Sequence, residues 1–202
     1  MGVNPSFIED IMSYITTYTG KHFDPTNPDI TRVDIRDIAH ALPLICRGNG
    51  HVKTFFSVGQ HCINAAKEAA LRGYSPRAIL ACLLHDAGEC YMSDVPRPLK
   101  QVLPSYIEAE DRLLDLVYEK FLGSPLTAEE EKLVKSVDND LLYYDLKELL
   151  NEVCDVPAPP MHIPLCYDFV PFNQVENEYL SLYKKYADLL KIAAKENANG
   201  KD

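Results

Sequence analysis

No stretch of this 202-residue sequence reaches eighteen consecutive apolar residues, which excludes an α-helical membrane span. Met1 to Asp10 hold no basic patch leading into an apolar core, so no secretion signal is read there. None of the six cysteines (46, 62, 82, 90, 154 and 166) forms a C-x-x-C pair. Cys62 and Cys82 fall within apolar helical patterns and read as small core residues. Scattered thiols without an export signal lead us to expect a reducing, cytoplasmic setting and no disulfide framework. Positive charge is also scarce: 20 Lys and Arg face 30 Asp and Glu, a net charge of −10. A duplex nucleic-acid binder would need a basic face, so none is expected. A small phosphorylated substrate stays compatible, because a bound metal supplies local positive charge that the net count misses. Internal repeats, a credible strand pattern and a linker that would divide the chain are missing too.

What is present is helical periodicity. Hydrophobic residues make up 47% of the chain, ordinary for a globular domain, and the length suits one domain, 1–202. Phe7, Ile8, Ile11, Met12 and Ile15 form a stripe on a first helix. A second starts near Asp34 and stops at Pro43. Ser57 to Gln60 has the form of a capping box opening a third helix to about Arg72-Gly73. Ser75-Pro76 is a cap followed by a first-position proline, and this fourth helix is predicted to reach about Tyr91. Leu113, Leu114, Val117, Tyr118 and Phe121 mark a fifth. Thr127 to Glu130 is a second capping box, opening a long helix to about Asn151. The Pro-rich stretch 155–171 reads as an ordered loop or flap. A last helix spans about 173–197, frayed from Lys195 onward. The fold class is all-α.

One dipeptide interrupts this pattern with chemistry. His85-Asp86 ends the apolar run Ala78 to Leu84, and Glu89 follows three residues later. An imidazole and a carboxylate at a buried helix end are costly to desolvate unless something pairs with both. A divalent metal does so, since His and Asp are common ligands. His61, three residues after Val58 and four before Ala65, falls on an inward stripe. Asp138 shares the face of Val134, Val137, Leu141 and Leu142, where a lone carboxylate must be paired, protonated or metal-bound. Lys135 is a possible partner for it, and Asp140 a rival ligand. Three helices thus direct a His or Asp inward, the way bundles build metal sites. Four such ligands leave about two positions open on an octahedral ion.

The order His61, His85-Asp86 (24 residues on) and Asp138 (52 beyond Asp86) resembles the H…HD…D pattern of the HD superfamily of metal-dependent phosphohydrolases. The segments FSVGQHCINAA, LLHDAGECYMSDVPRPLK and VKSVDNDLLYYDLKELL, with the upstream DIRDIAHALPLICRGNGHVKTFFSV, resemble its YfbR-like branch, which contains bacterial 5′-deoxynucleotidases. The likeness covers a core of about 34–150.

The resemblance implies a single HD-domain helical bundle with a metal site between helices, and His61, His85, Asp86 and Asp138 as ligands of Mn, Co, Fe or Zn. It implies Glu89 as the residue that orients or activates the attacking water. Asp94 would protonate the leaving oxygen or position the water, and Arg47, 14 residues before His61, would bind phosphate. Lys53 is a weaker phosphate contact, and His51 has no assigned role. Tyr167 and Phe169 of the Pro-rich stretch would either cover a base or pack as surface loop. The expected activity is hydrolysis of (deoxy)nucleoside 5′-monophosphates. The alternatives are triphosphohydrolysis of deoxynucleoside triphosphates and a non-catalytic nucleotide-sensing module. A homo-oligomer, a dimer, is implied by the resemblance alone.

Overall fold

Side-chain caps set where the helices begin. In the computed structural model, which describes residues 13–199, Asp34 accepts from the Arg36 N–H and opens α1, Ile35–Ala41. Ser57 and Gln60 form the reciprocal capping box of α2, Val58–Leu71. Ser75 accepts from the Ala78 N–H ahead of α3, Pro76–Leu84. Two single-turn helices follow, α4 at Glu89–Met92 and α5 at Arg97–Lys100, then α6 at Pro104–Leu122. Thr127 and Glu130 form the second capping box, opening α7, Ala128–Leu150. The last helix, α8, spans Phe172–Asn199. Each cap satisfies an N–H group that the first helical turn leaves without a partner.

α3 is the centre of the bundle. Every residue from Ala78 to Leu84 is buried, and the helix touches α2, α6, α7 and α8. A helix that is apolar all round has to be surrounded, and burying each of its leucines is worth roughly 1.5–3 kcal/mol. Close packing elsewhere needs a missing side chain. A Cβ on Gly59 would stand 3.0 Å from the Pro43 nitrogen and 3.1 Å from Val175 Cγ1, so α2 lies against α8 and the 3-10 turn Leu42–Leu44 only because that position is glycine.

Several expectations change. The helix begun at Ser75 stops at Leu84 instead of reaching Tyr91. There the Ala87 N–H bonds the Leu84 carbonyl and the Glu89 N–H the Asp86 carbonyl, both three residues back. The chain therefore tightens into turns before α4. A short antiparallel pair appears where no strand was expected: β1, Ile15–Thr16, and β2, His22–Phe23, in register Ile15 to Phe23 and Thr16 to His22. Phe23 is fully buried, its ring stacked on Tyr91 at 4.1 Å. Ile15 thus belongs to a strand, while Phe7, Ile8, Ile11 and Met12 of the first expected helix lie outside the described residues. α8 continues through Lys195 to Asn199. Among the described residues no helix is long and apolar enough to cross a membrane, and Cys62 and Cys82 are buried free thiols.

Candidate metal centre and cleft

α2, the end of α3 and the middle of α7 each deliver donor atoms to one point. His61 on α2 is wholly buried. Its Nε2 lies 3.1 Å from Asp138 Oδ1 and 4.0 Å from Asp86 Oδ2. His85 Nε2 lies 3.4 Å from Asp86 Oδ2 and 3.5 Å from Asp138 Oδ1. His85 is the C-cap of α3 and keeps right-handed helical backbone (φ −62°, ψ −30°), so His85 and Asp86 leave the buried end of that helix as consecutive residues.

The imidazoles are held from behind. His85 Nδ1 donates to the Cys82 carbonyl at 2.8 Å, which turns Nε2 inward. That nitrogen is buried without a hydrogen-bond partner. His61 Nδ1 donates to Asp145 Oδ2 at 2.9 Å. Metal-binding histidines are oriented in this way, with the far nitrogen tied to a carbonyl or carboxylate.

Donor atoms of His61, His85 and Asp86 lie within 4.8 Å of one another, and these residues could hold a metal ion. An ion at about 2.0–2.2 Å from each donor requires separations no greater than about 4.4 Å. The pairs given above, Asp138 included, meet that limit. The orphaned His85 nitrogen and the mixed imidazole and carboxylate set therefore fit a divalent cation.

The point opens into a cleft of about 500 Å³. Asp86, Asp138, Asp145, Glu89, Asp94, Arg47, Arg97 and Lys100 supply its charges, and Val52, Leu142, Leu146, Leu149 and Leu150 form an apolar wall. Asp138, Asp145 and these leucines recur along one face of α7. On the opposite side His85, Asp86 and Asp138 border a second cavity of about 740 Å³ with acidic residues Glu110, Asp111, Asp115 and Glu131.

Arg47 leads a 3-10 turn, Arg47–Gly50, in which Gly48 and Asn49 adopt left-handed backbone. Its N–H bonds the Phe56 carbonyl at 2.9 Å, and its guanidinium reaches Asp86 Oδ2 at 3.5 Å and Asp145 Oδ2 at 3.3 Å. Asp94 follows Ser93, whose φ of 68° is unusual for a non-glycine. The Tyr106 hydroxyl donates to the Ser93 carbonyl at 3.0 Å.

Electrostatics follow from this crowding. Burial and Arg47 push the His61 imidazole down, but hydrogen bonds to Asp138 and Asp145 outweigh them and hold it above its ordinary value. Burial likewise opposes charge on His85, yet Asp86 leads the groups that raise it well above that value. Glu89 goes the other way for a carboxylate. Burial first, then Asp86 and Asp94, push it up to about 9, against Arg47 and Lys100. One of its oxygens, Oε2, is buried without a partner. Burial also raises Asp94, with Asp86 adding to it against Arg47.

The structure brings together His61, His85, Asp86, Asp138, Glu89, Asp94 and Arg47. It leaves Lys53 outside: that residue is exposed, does not line the cleft, and its backbone N–H bonds the Leu149 carbonyl at 2.9 Å. Asp140 pairs with Arg72 at 2.9 Å, away from the centre. Lys135 is exposed, and Asp138 instead has Arg97 beside it, at 3.8 Å. His51 is exposed and outside the cleft. Tyr167 and Phe169 do not line the cleft either; Tyr167 packs behind it, against Phe56 at 5.1 Å.

Sequence reasoning missed Asp145, Arg97 and Lys100. Asp145 had a signal, since it follows Asp138 by two helical turns on the same face. Arg97 and Lys100 had none beyond their place in the segment after Asp94.

Comparison with known proteins finds relatives that are themselves uncharacterized. The uncharacterized protein YfdR of Escherichia coli (strain K12) is 38% identical over 112 residues, which are 54% of this chain and 59% of that protein. An uncharacterized protein of Rhodobacter capsulatus is 32% identical over 126 residues, 59% of this chain and 64% of its own length. The matched regions thus span less than two thirds of either relative. No protein-family model matches the chain.

Proposed function

We propose that this chain is a metal-dependent phosphohydrolase that cleaves the phosphomonoester of small nucleotides, (deoxy)nucleoside 5′-monophosphates foremost. The observation that carries the reading is the buried, unpartnered Nε2 of His85, directed at Asp86 and Asp138 beside a cleft that also holds Arg47, Glu89 and Asp94. His61, His85, Asp86 and Asp138 would hold a divalent transition metal, Mn, Co, Fe or Zn. When bound, such an ion supplies a Lewis acid for a phosphoryl oxygen and a lowered pKa for water.

The chain's own residues divide the remaining work. Arg47, with its fork of donors, binds phosphoryl oxygens and offsets charge that develops on them. Glu89 takes the proton of the attacking water at its free Oε2. Burial and Asp86 favour its protonated form against Arg47 and Lys100; a divalent cation held beside it would favour the carboxylate that this role needs. Asp94, raised by burial, gives a proton to the leaving ester oxygen. The apolar wall of α7 receives the organic half of the substrate.

Three cations in the lining, Arg47, Arg97 and Lys100, favour a second reading in which a deoxynucleoside triphosphate is the substrate and triphosphate the product. Phosphate release from a panel of deoxy- and ribonucleoside mono- and triphosphates, with Mn²⁺, Co²⁺ or EDTA and with Asp86→Ala, separates the two. Orthophosphate from monophosphates, lost with EDTA and in the variant, supports the first reading. Intact triphosphate supports the second. No turnover by folded, metal-loaded protein on any member of the panel rejects both.

A further inference from the structure

The carboxylate of Asp145 is shared by three donors from three separate parts of the chain. Oδ2 accepts from His61 Nδ1 at 2.9 Å and from Arg47 Nη2 at 3.3 Å. Oδ1 accepts from the Tyr167 hydroxyl at 3.0 Å. The residue is 5% exposed. A buried carboxylate with this many donors is ordered tightly, and it orders what it touches in turn.

The third donor belongs to the Pro-rich segment, and its position is fixed independently of Asp145. The Tyr167 ring packs on the fully buried Phe56. The neighbouring Asp168 carbonyl accepts from Gln60 on α2 at 3.4 Å. Farther along, Glu68 accepts from the backbone N–H groups of His162 and Ile163 and from the His162 ring. The Tyr144 hydroxyl donates to the Pro159 carbonyl at 2.6 Å. A segment without helix or strand is thereby pinned across α2 and α7 at several points along their length.

We infer that Asp145 is a positioning residue, which Tyr167 of the Pro-rich segment completes, and that the two together hold His61 for a metal and Arg47 for a phosphate. The segment then supports the site from behind instead of covering a substrate. Loss of a carboxylate behind a ligating imidazole typically lowers metal affinity by about 10- to 100-fold. The inference rests on the metal reading proposed above, but not on which substrate is turned over.

The test is Co²⁺ affinity, measured by competition with a fluorescent chelator, with circular dichroism to establish that each variant is folded. Asp145→Asn keeps the shape but offers one oxygen for three donors, and is expected to weaken Co²⁺ binding by about 10- to 100-fold. Tyr167→Phe removes a single hydroxyl and is expected to weaken it by roughly 2- to 10-fold, the size of one lost hydrogen bond. Tyr144→Phe is the control, because it loosens the same segment without touching Asp145, and its affinity should match the wild type. Equal losses in Tyr167→Phe and Tyr144→Phe, or an unchanged Asp145→Asn, would overturn the inference while leaving the metal reading intact. Wild-type protein that binds no Co²⁺ would overturn both.

Discussion

His85 and Cys82 are joined by a hydrogen bond that decides the chemistry at the end of α3. The imidazole Nδ1 donates to the Cys82 carbonyl at 2.8 Å, and Nε2 is left buried and unpartnered. A buried polar atom without a partner costs free energy, and a cation removes that cost.

Saturating metal should therefore stabilise the fold. At about 100 times its dissociation constant, an ion that binds only the folded state adds about 2.7 kcal/mol. For a chain of this size that is a rise in Tm of about 5–10 °C. Calorimetry with Co²⁺ or Mn²⁺ against EDTA measures it. His85→Ala should abolish the increment, and an increment that survives the substitution would place the ion elsewhere.

Metal binding should also release protons. His61 and His85 are both held above the ordinary imidazole value by neighbouring carboxylates, so protons compete with a metal for both rings and coordination displaces them. Apparent affinity, followed between roughly pH 6 and 8, is expected to rise with pH, by up to about 10-fold per pH unit for each proton displaced. Titration calorimetry in two buffers of different ionisation enthalpy counts the protons. An affinity that does not change across this range would contradict the arrangement.

Glu68 should make its contribution above its unfolded pKa. Burial opposes its charge, but His162, Arg72 and two backbone N–H groups outweigh burial and hold it below the usual 4.5. A depressed folded value means that this stability is complete above about pH 4.5 and is lost as pH falls through the folded pKa. Urea unfolding of wild type and Glu68→Gln should differ most at about pH 6–7 and converge toward about pH 3. A gap that is constant with pH would show that the charge contributes nothing.

Arg77 ties three helix ends together. Its guanidinium donates to Glu130 Oε1 at 2.7 Å, to the Leu122 carbonyl at 2.7 Å and to the Pro125 carbonyl at 2.9 Å. It thereby joins the start of α3 to the end of α6 and the start of α7. Arg77→Ala leaves these acceptors unpaired and should cost about 2–3 kcal/mol in urea unfolding. The variant's affinity for Co²⁺ should be unchanged, since none of these groups borders the cluster of His61, His85, Asp86 and Asp138. A loss of under about 0.5 kcal/mol would make the tie a surface pair of no weight.

The residues themselves determined much of the fold. Ser57 with Gln60, Ser75 with Pro76, and Thr127 with Glu130 act through bonds three residues long, so the order of residues alone marks the starts of α2, α3 and α7. The inward phase of His61 and Asp138 is equally local, because helical period alone sets it. Tertiary structure decided the rest. Whether α3 ends at Leu84 or runs on to Tyr91 depends on packing that periodicity does not contain. Asp138 and Asp140 are told apart only in the fold, where Arg72 of another helix pairs with Asp140 while Asp138 lies beside His61 and His85. Lys53 and Lys100 are equally charged in the sequence, yet only Lys100 lines the cleft. Asp145 was the hardest to read, since its partners His61, Arg47 and Tyr167 lie 84, 98 and 22 residues away along the chain. A side chain whose contacts are that distant carries no local signature of what it holds, and the folded chain alone brings them into contact.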